Sequence, residues 1–376
     1  MARIFYSMAG EGRGHAARVR TLVEHLRHDH ELVLFAPDDA YEFLSRCYPS
    51  DRPDPNVRLL RIPGLRFHYT GRKLDLMKSI GSGLYYAGRE MPRLVRALRR
   101  RMQAERPDLV ISDFEPALPR AARREGVPVL SIDHQHVLLA YDLSNLPSEL
   151  QWYAWLMGFA VRWHVSGATD AVASSFYSPP LKPGWEHVRQ VGPLIRPEVA
   201  AARPTTGDYL LSYLRVNTPD HILTMLADLG LPIKIYGLGE RPAQGSLSFL
   251  PIHETRFVTD LAGCRAVVCA AGNQLLGESL YLGKPVLALP ETQHHEQRIN
   301  AFFLQQMGVG LATELETLDA GLLQRFLSDL PAYRARLDDL RGQFDGTADA
   351  LAAIHDALGR AVARRGVTGA VSSLAR

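Results

Sequence analysis

Apolar, strand-length runs at 3–7, 31–36, 108–112 and 128–132 alternate with helical patterns near 15–28, 38–47, 89–105 and 115–125. This alternation constrains the fold more than any other feature, because parallel strands need a crossover, usually a helix, to return the chain to the same edge. It pauses at 187–207, "HVRQVGPLIRPEVAAARPTTG", where Pro193, Pro197 and Pro204, with Pro183 just before, and small residues replace the periodic pattern. It then restarts. "DYLLSYL" reads as a strand, 219–229 as a helix, "PIKIYGL" as a strand, "RAVVCAAG" as a strand and turn, "NQLLGESLYLG" as a helix, "KPVLALP" as a strand and "HHEQRINAFFLQQMG" as a helix. The expectation is an α/β chain with two doubly wound parallel-sheet domains, 1–192 and 208–346, joined by a linker at 193–207. The stretch 347–376 has no strand after it to join and is free to pack back on the first domain. A length of 376 residues suits two cores better than one.

Composition narrows the class. An apolar fraction of 46% with 22% charged residues is that of a soluble globular protein. No apolar run reaches the ~20 residues of a membrane span. Met1-Ala2-Arg3 leads straight into a strand pattern without a secretory leader, so a cytoplasmic location is expected. The cysteines Cys47, Cys264 and Cys269 form no CxxC pair, which fits a reducing compartment and argues against a zinc or disulfide framework. Net charge is +3, carried by thirty-eight arginines and five lysines as the basic set. Arginines cluster in "RLVRALRRRMQAER", Arg93 to Arg106, a helix with Leu94, Ala97, Leu98 and Met102 inward. Its outer face is either solvated or set against an anionic membrane surface or acceptor. No nucleic-acid-binding motif accompanies it. Two segments stand outside the regular pattern. Residues 63–88 are irregular and rich in glycine and aromatics, a composition suited to binding. "PSELQWYAWLMGFAVRWH", Pro147 to His164, puts three tryptophans into one apolar helix, read as a buried or interface helix or as a wall for a ring-bearing or lipid ligand.

Behind the first strand comes "MAGEGRGHAARVRTL", Met8 to Leu22. Gly10, Gly12 and Gly14 allow a ligand close to the backbone, and the helix that follows aims unpaired N–H groups at an anion. The spacing is G-x-G-x-G, whereas a dinucleotide fingerprint needs G-x-G-x-x-G. His15 directly follows the loop and needs its own explanation.

"RFVTDLAGCRAVVCAAGNQLLGESLYLGKPVLALPETQHHEQRINA", Arg256 to Ala301, resembles the donor-binding region of inverting GT-B glycosyltransferases, both the UDP-glucosyltransferase superfamily and the bacterial peptidoglycan N-acetylglucosaminyltransferase. The front half, with "GEGRGHA", "PDLVISDFEP" and "SIDHQH", resembles a little-characterised microbial branch of the same proteins. The resemblance implies a GT-B fold of two Rossmann-like domains facing across a cleft. It also implies transfer of glucose or N-acetylglucosamine from UDP, with inversion, to a hydroxyl of a natural product, a nucleoside-like molecule or a lipid-linked sugar. The donor is expected at Gly272 and Asn273, where a second helix N-terminus can take the diphosphate, and at Glu278, which would accept from the ribose hydroxyls. Phe257 and Val258 match the loop whose backbone reads the uracil edge; Glu296 and Gln297, with His294, match the donor-sugar contacts. Gly14, Ser212, Arg215 and Ala271 complete the implied donor set. No metal and no cofactor beyond the co-substrate is implied, and the sequence contains no D-x-D pair to clamp a cation.

A hydroxyl acceptor needs a base in the transition state, and His15 is the candidate, oriented by Asp113 at the end of "LVISD". Asp113 itself, Glu115 and Glu11 are the alternative bases. His134, Gln135 and His136, after another strand, and the aromatics Phe67, Tyr85 and Trp152 are the candidate acceptor contacts. Peripheral contact with a membrane is compatible with such an acceptor. Two other classes stay open: a non-hydrolysing UDP-N-acetylglucosamine 2-epimerase, which shares this architecture, and an NAD-dependent oxidoreductase with Asp38 as the ribose acid.

Overall fold

The computed structural model describes residues 1–374 apart from 11–12, 66–68, 71–72, 75–82, 84, 216–217 and 292–293. The first half runs β1 (Arg3–Met8), α1 (Arg13–Leu26), β2 (Glu31–Ala36), α2 (Asp38–Cys47) and β3 (Val57–Arg61). A short ribbon of β4 (Tyr69–Thr70) and β5 (Lys73–Leu74) precedes α3 (Met91–Glu105). Then follow β6 (Leu109–Asp113), α4 (Ala117–Glu125), β7 (Val129–Asp133), α5 (His136–Ala140), α6 (Ser148–His164), β8 (Asp170–Ser174) and β9 (Val188–Val191). Seven of these strands form one parallel sheet, ordered β3-β2-β1-β6-β7-β8-β9. Helices cover both faces, so β6 and β7 are buried at every position, as their unbroken apolar runs require. The start of the 187–207 pause is itself strand: Val188 and Val191 are buried, which makes β9 the edge of this sheet.

The second half contains α7 (Pro197–Ala200), β10 (Leu210–Tyr213), α8 (Asp220–Ala227), β11 (Ile233–Tyr236), β12 (Arg241–Gln244), β13 (Leu247–Phe249), α9 (Glu254–Gly263) and β14 (Ala266–Cys269). It continues with α10 (Asn273–Tyr281), β15 (Val286–Ala288), α11 (His295–Gln306), β16 (Gly310–Ala312), α12 (Ala320–Ser328), α13 (Leu330–Asp339) and α14 (Thr347–Leu374). Its sheet is ordered β12-β13-β11-β10-β14-β15-β16, parallel except for the β12–β13 pair. In both sheets the chain winds outward from a central pair, β1/β6 and β10/β14. Crevices for ligands form at the carboxyl ends of strands at such reversals.

The last helix returns to the first sheet. Ala350, Ala353, Ile354 and Ala357 of α14 share a core with Ile4, Tyr6 and Val19. The chain thus crosses between the halves twice, and the crossings touch: the Gly346 N–H donates to the Pro193 carbonyl at 2.9 Å. A Cβ on Gly192 would come within 2.7 Å of the Gln343 carbonyl oxygen, so only glycine permits this approach. A further apolar seam joins the halves, with the rings of Tyr177 and Phe303 stacked at 4.0 Å.

Candidate functional site

Strands β1 and β6 pair, and Met8 lies opposite Asp113 at their carboxyl ends. Asp113 is fully buried. His15, in the first turn of α1, places Nδ1 2.8 Å from Asp113 Oδ1. A carboxylate can only accept, so Nδ1 carries the proton and Nε2 keeps its lone pair. Among the described residues nothing bonds to Nε2, and the His15 side chain is partly exposed.

Arg18 lies one turn further along the same face of α1. Its Nε donates to Asp113 Oδ2 at 2.8 Å and its Nη2 to Oδ1 at 2.7 Å. Nη2 also lies 3.0 Å from His15 Nδ1, but two N–H groups cannot bond each other, so the carboxylate is its partner. Burial alone would raise the Asp113 pKa; the charge of Arg18, with the hydrogen bonds from His15 and Arg18, outweighs it and holds the carboxyl below its usual range. Sequence reasoning missed Arg18, although its three-residue spacing from His15 was the available signal. It also missed Phe114. That residue has φ +59°, a left-handed conformation that strains a bulky side chain. Its ring stacks on His164 at 4.4 Å and lies parallel to His15 at 6.4 Å.

The other first-half candidates have different settings. Glu115 accepts from the Ala117 N–H at 2.7 Å and the Leu118 N–H at 2.9 Å, so its carboxylate caps α4. Burial raises its pKa and these two bonds oppose the rise. Glu11 and Phe67 lie outside the described residues. His136 is buried, its backbone N–H donating to Asp133 Oδ1 at 2.8 Å and its Nδ1 lying 2.8 Å from Oδ2. Burial would raise the Asp133 pKa, but His136 beside it brings it down to about 2. Gln135 has a buried Oε1 with no bond among the described residues. His134 is placed in the seam between the halves and not in an open acceptor pocket. Its ring nitrogens lie 3.1 Å from the Ser174 carbonyl and 3.2 Å from Asn300 Oδ1 of α11. Burial lowers its pKa and favours the neutral ring, which can donate to one of these two acceptors at a time. Tyr85, leading into α3, and Trp152 on α6 are exposed.

On the donor side, β14 ends at Cys269 and Gly272 is the N-cap of α10, which puts the free N–H groups of that helix at the β10/β14 crevice. Asn273 donates through Nδ2 to the Ser174 carbonyl at 3.4 Å, and its buried Oδ1 has no partner among the described residues. The Ala271 carbonyl accepts from Asn300 Nδ2 at 3.0 Å. Across the cleft, a Cβ at Gly14 would meet nothing within 4 Å, whereas one at Gly10 would lie 2.8 Å from Pro37, so only Gly10 is demanded by packing.

Several expected donor contacts are occupied within the protein. Glu278 is buried and its two oxygens accept from Arg196 Nε and Nη2 at 2.7 and 2.6 Å, with Gln274 Nε2 at 2.9 Å from the first. Of about four lone-pair sites on a carboxylate, one is left for a ribose hydroxyl. Ser212 is buried with its hydroxyl donating to the Val268 carbonyl at 3.3 Å, inside the sheet. Phe257 and Val258 are helical and not in a loop: the Phe257 N–H donates to the His253 carbonyl at 2.8 Å, and its ring packs edge-on against Tyr236. Arg215 and Gln297 converge on Glu291, the first at 3.3 Å from its carboxylate and the second accepting its N–H at 3.0 Å. His294 is the N-cap of α11, and Glu296 follows in its first turn. Among the described residues no group of three or more His, Cys, Asp or Glu is arranged to hold a metal ion.

Comparison with known proteins agrees with this geometry. Residues 2–331 match glycosyl transferase family 1. An uncharacterized glycosyltransferase of Methanosarcina acetivorans is 24% identical over 385 residues, covering 92% of this chain and 95% of the relative. Another from Methanosarcina mazei has the same identity and coverage. Among solved structures, Arabidopsis thaliana UGT89C1 complexed with UDP-L-rhamnose superposes with a TM-score of 0.66 at 12% identity, covering 94% of this chain and 98% of that one. Acinetobacter baumannii MurG superposes with a TM-score of 0.61 at 16% identity, covering 95% and 100%. With two doubly wound sheets and a match over most of its length, the chain belongs to glycosyl transferase family 1 and is a glycosyltransferase of the GT-B fold.

Proposed function

We propose that the protein moves a hexose, glucose or N-acetylglucosamine, from a UDP-sugar to a hydroxyl acceptor with inversion and without a metal. The observation that carries this reading is the 2.8 Å contact of His15 Nδ1 with Asp113, which leaves Nε2 unbonded among the described residues. In the step proposed, the acceptor oxygen attacks the anomeric carbon opposite the leaving group. The C–O bond to UDP breaks, UDP departs with its electron pair, and the hydroxyl proton passes to His15 Nε2. Asp113 stays ionised, fixes the ring tautomer and stabilises the imidazolium that forms. The N–H groups at the start of α10 take the diphosphate, Glu278 keeps one acceptor site for the ribose, and the 294–297 segment faces the sugar. A nucleotide-sugar donor is supported by two structural neighbours, one complexed with UDP-L-rhamnose and another, VinC, complexed with dTDP. The acceptor is a natural product, a nucleoside-like molecule or a lipid-linked sugar.

The test is single-turnover transfer at saturating UDP-sugar. His15→Ala should slow the chemical step by about 10² to 10⁴ while leaving UDP-sugar affinity nearly intact, because base assistance acts in the transition state. Equal rates would remove His15 from the mechanism.

A further inference from the structure

Helix α6 buries Leu150, Ala154, Gly158 and Val161 on one side. On the other it exposes Trp152, Trp155, Leu156, Phe159 and Trp163, which are 62, 56, 50, 59 and 39% accessible. Their spacing places them in one strip along the helix. The strip is continuous, with Trp152 stacked on Trp155 at 4.8 Å and Trp155 edge-on to Phe159 at 5.0 Å. It holds three of the chain's four tryptophans and five of the nine large apolar side chains exposed among the described residues. Scattered apolar side chains are ordinary on a surface, whereas a contiguous row of this kind marks an interface.

One end of the strip meets a cationic helix. Arg120 of α4 donates to the Trp163 carbonyl at 2.5 Å, and its guanidinium lies 4.3 Å from the centre of the Trp163 ring. Helix α3 packs along α4. On these two helices Arg93, Arg96, Arg100, Arg123 and Arg124 have no carboxylate partner among the described residues, although Arg99 and Arg101 are paired with Glu125 and Glu105. A net charge of only +3 makes this concentration local.

We infer that α6, met at its C-terminal end by the arginine-bearing α4, docks the protein on an anionic lipid bilayer. Tryptophans and phenylalanine suit the headgroup boundary, where ring and N–H can both be satisfied, and the arginines of α4, beginning with Arg120 on Trp163, complement anionic headgroups. The strip is the outer face of a single helix, so it offers a small ring-bearing ligand no opposing wall among the described residues. The ends of α6 reach both halves of the candidate site: Tyr153 stacks on His295 at 4.3 Å and Glu149 pairs with Arg298 at 2.7 Å, while His164 stacks on Phe114 beside His15. Docking therefore holds the cleft mouth at the bilayer, where a membrane-borne acceptor would enter; that consequence rests on the proposed transferase reading, and the docking does not.

The experiment measures sedimentation of the full chain with vesicles of phosphatidylcholine alone and with vesicles also containing phosphatidylglycerol, together with tryptophan emission. Binding to the anionic vesicles, a blue shift on binding, and release by salt are expected. Trp155→Ser with Leu156→Ser and Phe159→Ser should weaken partitioning about tenfold or more. Arg96→Glu with Arg100→Glu and Arg124→Glu should weaken it on anionic vesicles alone. Circular dichroism and urea unfolding check that both variants are folded. Absence of vesicle binding, binding unchanged in the serine variant, or a solution dimer abolished by that variant without vesicle binding would each overturn the inference. Because no sugar transfer is measured, failure here is distinct from failure of the enzymatic proposal.

Discussion

Replacing Arg18 with methionine should destabilise the first half of the protein by about 3–5 kcal/mol, the usual cost of stranding one partner of a buried ion pair. Asp113 is fully buried and receives two charged hydrogen bonds from Arg18, at 2.8 and 2.7 Å, and one from His15 at 2.8 Å. Two such bonds at about 1.5–3 kcal/mol each reach the same range. The double variant Arg18→Met with Asp113→Leu removes both charges and should recover most of the loss, to within about 1–2 kcal/mol of wild type, without recovering transfer activity. Urea unfolding followed by tryptophan emission is a suitable assay, because all four tryptophans lie at or before Trp185 and so report on the first half. The pH dependence has a definite sign. A carboxyl held low in the folded state stabilises above its unfolded pKa of about 3.9, and that contribution is lost as pH falls through the lower folded value. In Arg18→Met burial is opposed less and the folded pKa rises, so the carboxylate stabilises less above about 3.9 and the gap between variant and wild type should narrow as pH falls. A single-variant cost under about 1 kcal/mol, or a double variant no more stable than the single, would refute the assignment of Arg18 and Asp113 as a mutually dependent pair.

Glu278→Gln should weaken UDP binding about tenfold or more, whereas Arg196→Gln should destabilise the fold yet keep UDP affinity within about twofold; calorimetry giving equal losses would mean that Glu278 acts only through packing. If the α10 N-terminus takes the diphosphate, as proposed, turnover should survive EDTA, and loss of activity restored by magnesium or manganese would contradict this. Asn300→Ala removes the acceptor of the Tyr177 hydroxyl, at 3.1 Å, and the donor to the Ala271 carbonyl. It should cost about 1–3 kcal/mol per stranded group. Amide exchange should quicken at 174–177 and 271–276, and unchanged exchange there would show that the seam does not depend on Asn300.

Periodic burial is written locally, and the elements that follow from it were legible. The α2 helix at 38–47, the strands bearing "LVISD" and "AVVCAA", and a final helix with no strand to join all emerge from runs of a few residues. The nearness of His15 and Asp113 was legible for the same reason, since neighbouring parallel strands bring their carboxyl ends, and the loops beyond them, to one edge. Partners set by the meeting of distant surfaces were not. Arg196 lies in the proline-rich stretch at 187–207, 82 positions before Glu278, and nothing near either residue announces the other. His134 looked like a pocket residue because its partner, Asn300, arrives from the other half of the chain. Helix α6 is the sharpest case. It is apolar on both faces, so no alternation marks which side is buried, and only the packing of Leu150, Ala154 and Val161 decided that the tryptophans face outward. Local pattern thus determined the strands, the helices and the edge where the site forms, whereas tertiary packing decided which charges are neutralised and which apolar face is left uncovered, because both depend on surfaces that meet only when the chain is folded.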